Sequence, residues 1–302
     1  MAFTRQLHAL VQNEIKNQSS PLMRKLCNDP SVFPSIRDGR VDFYHRGGKL
    51  FSFDGNFSTH IKYASVLDCR KIYVGEKDLS IVPHLTDFAS AEMYPRIKEN
   101  CALYAGEEAF GVFSICERFS WHHIARQVAS AIEAGPMPVI VLDVEISLKR
   151  DTLGDDGGPK QRTHDRIDVL LFNTVTATLG FVEAKLFSNP EIWADTKHTP
   201  PIAKQLVGYR EQIEEKYDRI LAQYKAYVQL ANHCFGTSLP EPTRIESDVS
   251  LLIFGFDAAQ RDSRLKNHLN AHAAFNSISS YAIGDIRAIN LKTLWNKVFP
   301  SQ

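Results

Sequence analysis

Residues 166–187 read RIDVLLFNTVTATLGFVEAKLF, which is two apolar runs separated by a short polar connection. Both runs are rich in Val, Leu and Phe, residues that favour β-strands. The connection between the runs is short enough for a hairpin. We therefore predict two neighbouring antiparallel strands, one over residues 166–173 and the other over residues 176–187.

Three charged side chains interrupt these otherwise apolar strands. Asp168 is the only acidic residue of the first strand, and Glu183 and Lys185 lie two positions apart in the second. Because side chains alternate between the two faces of a strand, Glu183 and Lys185 must share a face. Strand pairing can then bring two carboxylates and one lysine together.

This combination of groups suits a hard divalent cation and a phosphate. Mg²⁺ prefers oxygen ligands and usually takes one or two protein carboxylates, here Asp168 and Glu183. The backbone carbonyl of Ala184 can supply a third oxygen. Lys185 can orient or deprotonate an attacking water, or stabilise a pentacovalent phosphate. We therefore predict a site for Mg²⁺ or Mn²⁺ at these residues.

The flanking sequence predicts further strands and helices around the hairpin. Their order is a helix, three strands, a long helix and another strand, which predicts a mixed sheet covered by helices. The predicted elements are a helix over Ser114–Ala134, a strand over 137–148, a polar loop over 149–165, a helix from Pro201 to about Cys234, a strand over 249–256, a last helix near 260–275 and a short strand over 280–286.

The pattern resembles the PD-(D/E)XK nuclease superfamily, in which an Asp on one strand precedes (D/E)xK on the next within an αβββαβ core. The matching residues are Asp168 and Glu183-Ala184-Lys185, although Ile167 stands where the family name has Pro. The resemblance covers roughly residues 112–260. It implies an α/β fold with a restriction-endonuclease-like core, a mixed sheet flanked by helices, in a domain spanning residues 106–302.

Two further elements are similar to those of particular branches of this superfamily. Gln205 and Tyr209 resemble the QxxxY element of RecB-type members, and their spacing places them on one helical face. The resemblance implies that this pair lines the active site and contacts DNA or steadies the catalytic Lys and Glu. Glu117 is similar to a helical Glu of Mrr-like members that helps to bind the metal, with Asp143 and Glu145 as alternatives.

Residues 1–105 predict a separate α+β module that is rich in strands. A helical opening reaches residue 28, and short strands with a turn at Gly47 and Gly48 follow. The module is expected to recognise substrate or a partner. Basic residues alternate there with aromatic ones, as in a nucleic-acid-binding surface or in an ordinary sheet with a charged outer face. These residues are Arg37, Arg40, Phe43, Tyr44, His45, Arg46, Lys49, Phe51 and Phe53.

Composition limits the alternatives without naming a function. The chain has 302 residues, and its Lys and Arg, 35 together, equal its Asp and Glu, so no global positive field indicates nucleic-acid binding. Its five cysteines are widely spaced and form no CxxC pair, which argues against a disulfide framework. The sequence lacks an apolar run typical of a signal peptide or membrane span, and we expect a cytoplasmic protein.

The sequence therefore predicts a metal-dependent nuclease that hydrolyses DNA phosphodiester bonds, in defence, restriction or repair. A homo-oligomer or a defence-system partner protein is the expected assembly. One alternative is a catalytically inactive nuclease-fold protein that binds nucleic acid or a protein partner. Another is a zinc hydrolase that uses His268 and His272, four residues apart.

Overall fold

The structure is a computed structural model that describes residues 3–64, 92–123, 138–148 and 166–300. It is an α/β fold with a four-stranded antiparallel sheet and a five-stranded mixed sheet. The chain forms two compact units. One comprises residues 1–4, 133–228 and 240–302, and the other comprises residues 5–132 and 229–239. The predicted division into domains at residues 105 and 106 stays a prediction.

The smaller sheet belongs to the unit built from residues 5–132 and 229–239. Arg46 and Gly47 form the two-residue turn between its central strands, with φ of 47° and 83°. Two successive residues in the left-handed region are what a two-residue type I′ hairpin turn requires. The turn therefore lies one residue earlier than the predicted Gly47 and Gly48, and Gly48 is the first residue of β3. The elements are α1 (Ala9–Asn17), α2 (Pro21–Asn28), β1 (Phe33–Ile36), β2 (Val41–His45), β3 (Gly48–Phe53), β4 (Phe57–Ser58), α3 (Ile61–Ala64), α4 (Tyr94–Leu103) and α5 (Glu107–Phe119).

Of the two alternatives for the basic and aromatic residues of this module, the structure does not show an exposed aromatic surface. Phe43 and Phe51 are fully buried, because every residue of β2 and the last four of β3 lie inside the unit. Asp42 is buried as well, and its carboxylate lies 3.8 Å from Nε of Arg37 and 2.9 Å from Nε of Arg40. These arginines therefore neutralise a buried acid, and the aromatic rings form core.

The helix expected over Ser114–Ala134 also differs from the structure. Helix α5 begins at Glu107 and ends at Phe119, because Ser120 adopts an extended ψ of 131°. The Ser120 hydroxyl accepts a 3.2 Å hydrogen bond from the amide of His122, as an N-terminal helix cap does. The periodic pattern therefore continues across a break in the helix. Residues 124–134 of the predicted helix lie outside the described residues.

The larger sheet contains both strands of the predicted hairpin. Asn173 Oδ1 accepts hydrogen bonds from the amides of Val175 and Thr176, which closes the turn between them. The sheet order is β5-β6-β7-β8-β9, antiparallel from β5 to β7 and parallel from β7 to β9. Its strands are β5 (Val139–Ser147), β6 (Arg166–Asn173), β7 (Thr178–Leu186), β8 (Arg244–Phe254) and β9 (Ser280–Ile283). The predicted loop over 149–165 lies outside the described residues.

The helices that follow β7 are shorter than the sequence pattern suggests. The expected single helix from Pro201 to Cys234 is two helices that meet at Lys216, whose φ of −115° and ψ of 18° leave the helical region. A π-helical turn also interrupts the last predicted helix. The helical elements are α6 (Pro201–Glu215), α7 (Tyr217–Phe235), α8 (Ala258–Gln260), a π-helical turn (Arg261–Leu265), α9 (Lys266–Ala271) and α10 (Leu291–Val298), with 3₁₀ turns at Pro190–Ile192, Ala273–Ser277 and Ile286–Ala288.

Burial of apolar side chains on both faces explains why β6, β7 and β8 form the centre of the mixed sheet. Leu170, Phe172 and Phe181 are fully buried, as are Leu251 and Ile253 of the parallel strand. Continuous apolar runs of this kind are typical of strands covered on both sides. No helix within the described part of the chain combines the length and apolar character that crossing a membrane would need.

Candidate active site

The two strands of the hairpin separate at the predicted site. β6 and β7 pair from Asn173 and Thr178 as far as Val169 and Val182. Beyond that point β6 continues beside β5 and β7 continues beside β8. We call this point the strand fork, and the next residues on its two sides are Asp168 and Glu183. The fork therefore places both predicted carboxylates where backbone pairing of the two strands ends.

Asp168 bridges the fork with its side chain. Its Oδ2 accepts a 2.8 Å hydrogen bond from the amide of Ala184. Because the N–H and C=O of one strand residue point to the same edge, the Ala184 carbonyl also faces the β6 side. The carbonyl predicted as a third oxygen ligand is therefore directed to the same side as Asp168.

Glu183 has two different oxygen environments. Its Oε1 lies 3.0 Å from Nζ of Lys185 and accepts a 3.4 Å hydrogen bond from Nε2 of Gln205. Its Oε2 is buried and has no hydrogen-bond partner among the described residues. The side chain is only 2% exposed. A buried carboxylate oxygen without a donor costs about 1–3 kcal/mol, so this atom is suited to an additional electropositive ligand.

The predicted Gln205 and Tyr209 meet each other and both strands of the fork. Nε2 of Gln205 lies 2.7 Å from the Tyr209 hydroxyl, which itself donates a 2.9 Å hydrogen bond to the carbonyl of Arg166. Tyr209 thus fastens α6 to β6 two residues before Asp168, and Gln205 connects the same helix to Glu183. The structure therefore brings together Asp168, Glu183, Lys185, Gln205 and Tyr209.

Glu191 is a residue of the site that the sequence reasoning missed. Its Oε2 lies 2.8 Å from Nζ of Lys185, so this lysine is held between a buried and a half-exposed carboxylate. The Asn189 side chain caps the 3₁₀ turn by accepting from the Glu191 amide. Asn189-Pro190-Glu191 is a typical start of a helical turn and could have indicated this turn. No feature of the local sequence indicates that the Glu191 side chain contacts Lys185.

Charge and burial together shift the pKa values of the two central groups. Burial raises the pKa of Glu183 well above its usual value, and the nearby charge of Asp168 raises it further against the opposing effect of Lys185. Burial alone would lower the pKa of Lys185, but the charges of Glu183 and Asp168 and the contact with Glu191 raise it overall. Lys185 is therefore a cation at neutral pH.

Glu117 and its two predicted alternatives occupy different environments. Glu117 lies on α5 in the other compact unit, where burial raises its pKa against the charges of Arg46 and Lys98. Its role as a metal ligand stays a prediction. Asp143 is fully buried and accepts hydrogen bonds from the Tyr224 hydroxyl, at 3.0 Å, and from the Val144 amide, at 2.9 Å. These contacts give Asp143 a structural function in its sheet.

Glu145 of β5 lies opposite Asp168 of β6 on the neighbouring antiparallel strand. The pairs Val144 with Val169 and Ile146 with Ile167 place it at that position in the register. Its φ of 51° falls in the left-handed region, which is unfavourable for a residue with a Cβ. The Glu145 carboxylate pairs with Arg166 at 3.2 Å. Glu145 therefore contacts the side chain of Arg166, and the backbone carbonyl of the same Arg166 accepts the hydrogen bond from Tyr209.

The donor set fits a hard divalent cation better than zinc. Among the described residues, no group of three or more His, Cys, Asp and Glu side chains is arranged to hold a metal ion. Two carboxylates and a carbonyl are the protein share of ligands that Mg²⁺ commonly takes, and the unpartnered Oε2 of Glu183 belongs to this set. The repulsion between Asp168 and Glu183 is of the kind that a bound cation relieves.

The two histidines considered for zinc are adjacent but lack a third ligand within the described residues. The ring centroids of His268 and His272 are 4.4 Å apart. Nε2 of His268 lies 2.8 Å from the carbonyl of Ile192, and since a carbonyl only accepts, this nitrogen carries a proton. His268 is therefore used as a donor inside the fold.

Comparison with known proteins adds no family to these observations. A scan against protein-family models gives no match for this chain, and searches of the curated proteins and of the solved structures give no match either.

Proposed function

We propose that this protein is a metal-dependent deoxyribonuclease with a restriction-endonuclease-like αβββαβ core. The observation that carries the proposal is the environment of Glu183 at the strand fork. Lys185 and Gln205 both contact one of its oxygens, and Asp168 is close enough to raise its pKa. The other oxygen is buried and has no hydrogen-bond partner among the described residues. Such a site is poorly satisfied by the protein alone and suits a divalent cation with a phosphate.

Each residue has a distinct function in this proposal. Asp168, Glu183 and the Ala184 carbonyl would hold Mg²⁺ or Mn²⁺, which when bound supplies Lewis-acid chemistry at the phosphate. Lys185 would orient or deprotonate the attacking water, or stabilise negative charge on the phosphate.

Gln205 and Tyr209 are positioning residues in the same scheme. Gln205 donates to the Glu183 oxygen that Lys185 also contacts, which limits the rotation of that carboxylate. Tyr209 acts indirectly, because its hydroxyl donates a hydrogen bond to the backbone carbonyl of Arg166 in β6. Its effect on catalysis would come through the placement of Asp168. The processes that would use such an enzyme are defence, restriction or repair.

The test is cleavage of plasmid and of single-stranded and duplex oligonucleotides by purified protein with Mg²⁺ or Mn²⁺. We expect cleavage that EDTA abolishes and that is lost in Glu183→Gln and Lys185→Ala. RNA substrates in parallel reactions test the preference for DNA. A highly pure wild-type protein without activity on any of these substrates would contradict the proposal.

The contacts of Lys185 also favour a second candidate, a non-catalytic protein that uses the same fold to bind nucleic acid or a protein partner. Lys185 neutralises Glu183 and Glu191 without any metal, so the three side chains form a compensated ion-pair network. In that case wild type and Lys185→Ala would behave identically in every cleavage assay while binding persisted. Light scattering of the purified protein would show whether it forms a homo-oligomer.

A further inference from the structure

A rigid aromatic cluster adjoins the strand fork. We call Phe187, Trp193, Arg264 and His268 the Trp193 cluster. The Trp193 ring lies 5.0 Å from the ring of Phe187 and 4.7 Å from that of His268, measured between centroids. Its indole Nε1 donates a 2.8 Å hydrogen bond to the carbonyl of Phe187. These contacts fix the orientation of the indole ring.

The Arg264 guanidinium lies over these aromatic rings while the residue remains exposed to solvent. Its guanidinium carbon is 4.2 Å from the Trp193 ring centroid and 5.6 Å from that of Phe187. No acidic side chain within the described residues pairs with it, whereas Arg261 binds Asp262 at 2.7 Å. Arg264 is thus a positioned cation without a carboxylate partner in the part of the chain that the structure describes.

The segment that carries Arg264 is unusual in its backbone and in its charge. Arg264 lies on the π-helical turn Arg261–Leu265, and such turns occur frequently at functional sites. Arg261 and Asp262 cancel each other, which leaves the positive charges of Arg264 and Lys266 over residues 261–272. An excess of positive charge on an exposed turn attracts phosphates.

One short turn connects the Trp193 cluster to the proposed active site. Glu191, in the 3₁₀ turn Pro190–Ile192, holds Lys185, and the carbonyl of Ile192 accepts from His268. Trp193 follows immediately. Lys185 therefore contacts Glu191 of this turn, and the Arg264 guanidinium contacts Trp193, the residue that directly follows it.

We propose that Arg264, supported by Trp193, binds single-stranded DNA beside the strand fork, an inference that rests on the proposed deoxyribonuclease function. The guanidinium N–H groups can donate to a phosphate, and the exposed guanidinium can stack on an unpaired base. A base within a duplex has both faces covered, so this arrangement selects a single strand or a frayed end. The substrate strand would then pass from Arg264 to Lys185.

Binding of a fluorescein-labelled single-stranded DNA oligonucleotide, followed by anisotropy in EDTA, tests this inference without requiring cleavage. We expect Arg264→Gln to weaken binding roughly tenfold, the usual effect of losing one charge-assisted contact. The slope of log Kobs against log salt should fall by about 0.7, as for one phosphate contact with a single strand. Arg261→Gln is the control for the loss of one positive charge from the same turn, and it should weaken binding less than Arg264→Gln because Arg261 is paired with Asp262.

Fluorescence gives a second readout from the same complex. Trp193→Phe keeps an aromatic ring under Arg264, so it should bind the oligonucleotide within a fewfold of wild type. The change in tryptophan emission that accompanies binding to the wild type should be largely lost in this variant. Equal emission changes in both proteins would place the strand elsewhere and overturn the inference.

The outcomes separate this inference from the proposed function. Equal affinities of wild type and Arg264→Gln, with DNA cleavage intact, would overturn the inference and leave the nuclease proposal standing. Binding that depends on Arg264, without cleavage under any metal condition, would support the inference and contradict the nuclease proposal. Equal effects of Arg264→Gln on duplex and single-stranded DNA would refute the selection for single strands, and a parallel RNA oligonucleotide reports the preference for the sugar.

Discussion

The amide of Ala184 donates a 2.8 Å hydrogen bond to Oδ2 of Asp168, where direct pairing between the β6 and β7 backbones has ended. A side chain thus takes over a contact that a backbone carbonyl makes elsewhere in the sheet. This contact holds the Asp168 carboxylate close to Glu183, although the two negative charges repel each other.

Asp168→Asn should separate stability from function. The Asn oxygen can still accept from Ala184, but the repulsion of Glu183 disappears. We expect the free energy of unfolding in EDTA to rise by about 1 kcal/mol, while DNA cleavage falls roughly 100-fold or more. Urea denaturation and a cleavage assay measure the two effects. A variant less stable than wild type would show that the Asp168 charge is structural.

Lys185→Met should destabilise the protein because it leaves Glu183 as a buried carboxylate without its counter-charge. The expected loss is about 3 kcal/mol at neutral pH, and the double variant Glu183→Gln, Lys185→Met should recover most of it. The loss should shrink as pH falls and Glu183 takes up a proton, because its folded pKa lies above the usual value. Urea denaturation at several pH values measures these changes.

Lys225→Met is the matched control for this experiment. Lys225 also pairs with a glutamate at 3.0 Å, but its side chain is 39% exposed, against 10% for Lys185. Exposed pairs contribute little, so we expect a change below about 1 kcal/mol. Similar losses in both variants would mean that burial of the Lys185 pair has no energetic consequence.

Tyr209→Phe should impair activity through the position of β6. The variant leaves the Arg166 carbonyl without its 2.9 Å donor, which costs roughly 1–2 kcal/mol of stability. We expect kcat to fall at least tenfold with little change in KM. Tyr217→Phe is the control, since it removes a hydroxyl that accepts a hydrogen bond from the Ile245 amide. Ile245 lies at the start of β8, away from Leu251, which pairs with Glu183. The Tyr217→Phe variant should lose a similar amount of stability without a loss of kcat. Equal decreases of kcat in the two variants would argue against a positioning role for Tyr209.

Asp29 should contribute stability that is lost in acid. Burial raises its pKa, but contacts with Lys98 at 2.6 Å, Tyr94 at 2.7 Å and Ser31 lower it to about 2 in the folded protein. Since the folded pKa lies below the unfolded value of 3.8, the stabilisation is full above pH 3.8 and disappears as pH falls to about 2. Allowing for solvent screening, it amounts to about 1 kcal/mol.

Asp29→Asn removes this contribution and supplies the measurement. Above pH 5 the variant should unfold at lower urea concentration than wild type, and the two curves should converge toward pH 2. A difference between the two proteins that stays constant from pH 6 to pH 2 would contradict the assigned pKa.

The sequence was most informative where local rules decide the structure. Alternation along β7 correctly predicted that Glu183 and Lys185 meet, and helical spacing predicted the contact of Gln205 with Tyr209. Periodicity did not reveal the breaks at Ser120 and Lys216, because apolar spacing continues across them. The contact between Glu191 and Lys185 depends on how a turn packs, which no spacing rule describes.

The same limit applies to the smaller sheet. The mixture of basic and aromatic residues around Phe43 left open an exposed binding surface or an ordinary sheet with a charged outer face, since arginines are usually solvated. Asp42 is buried between Arg37 and Arg40, and these ion pairs allow the surrounding rings to be buried too. The burial of Asp42 determines that its neighbouring arginines form ion pairs inside the unit. That burial depends on the whole fold and cannot be inferred from the local sequence.

The compact spacing of the five meeting residues along the chain also bears on how the protein folds. Asp168 and Tyr209 mark the two ends of this set, and the β6–β7 hairpin with α6 supplies all of it. Contacts at low sequence separation require little loop-closure entropy, so they form early. The amide of Ala184 should therefore become protected from hydrogen exchange among the first during refolding, before the parallel strands β8 and β9 join the sheet.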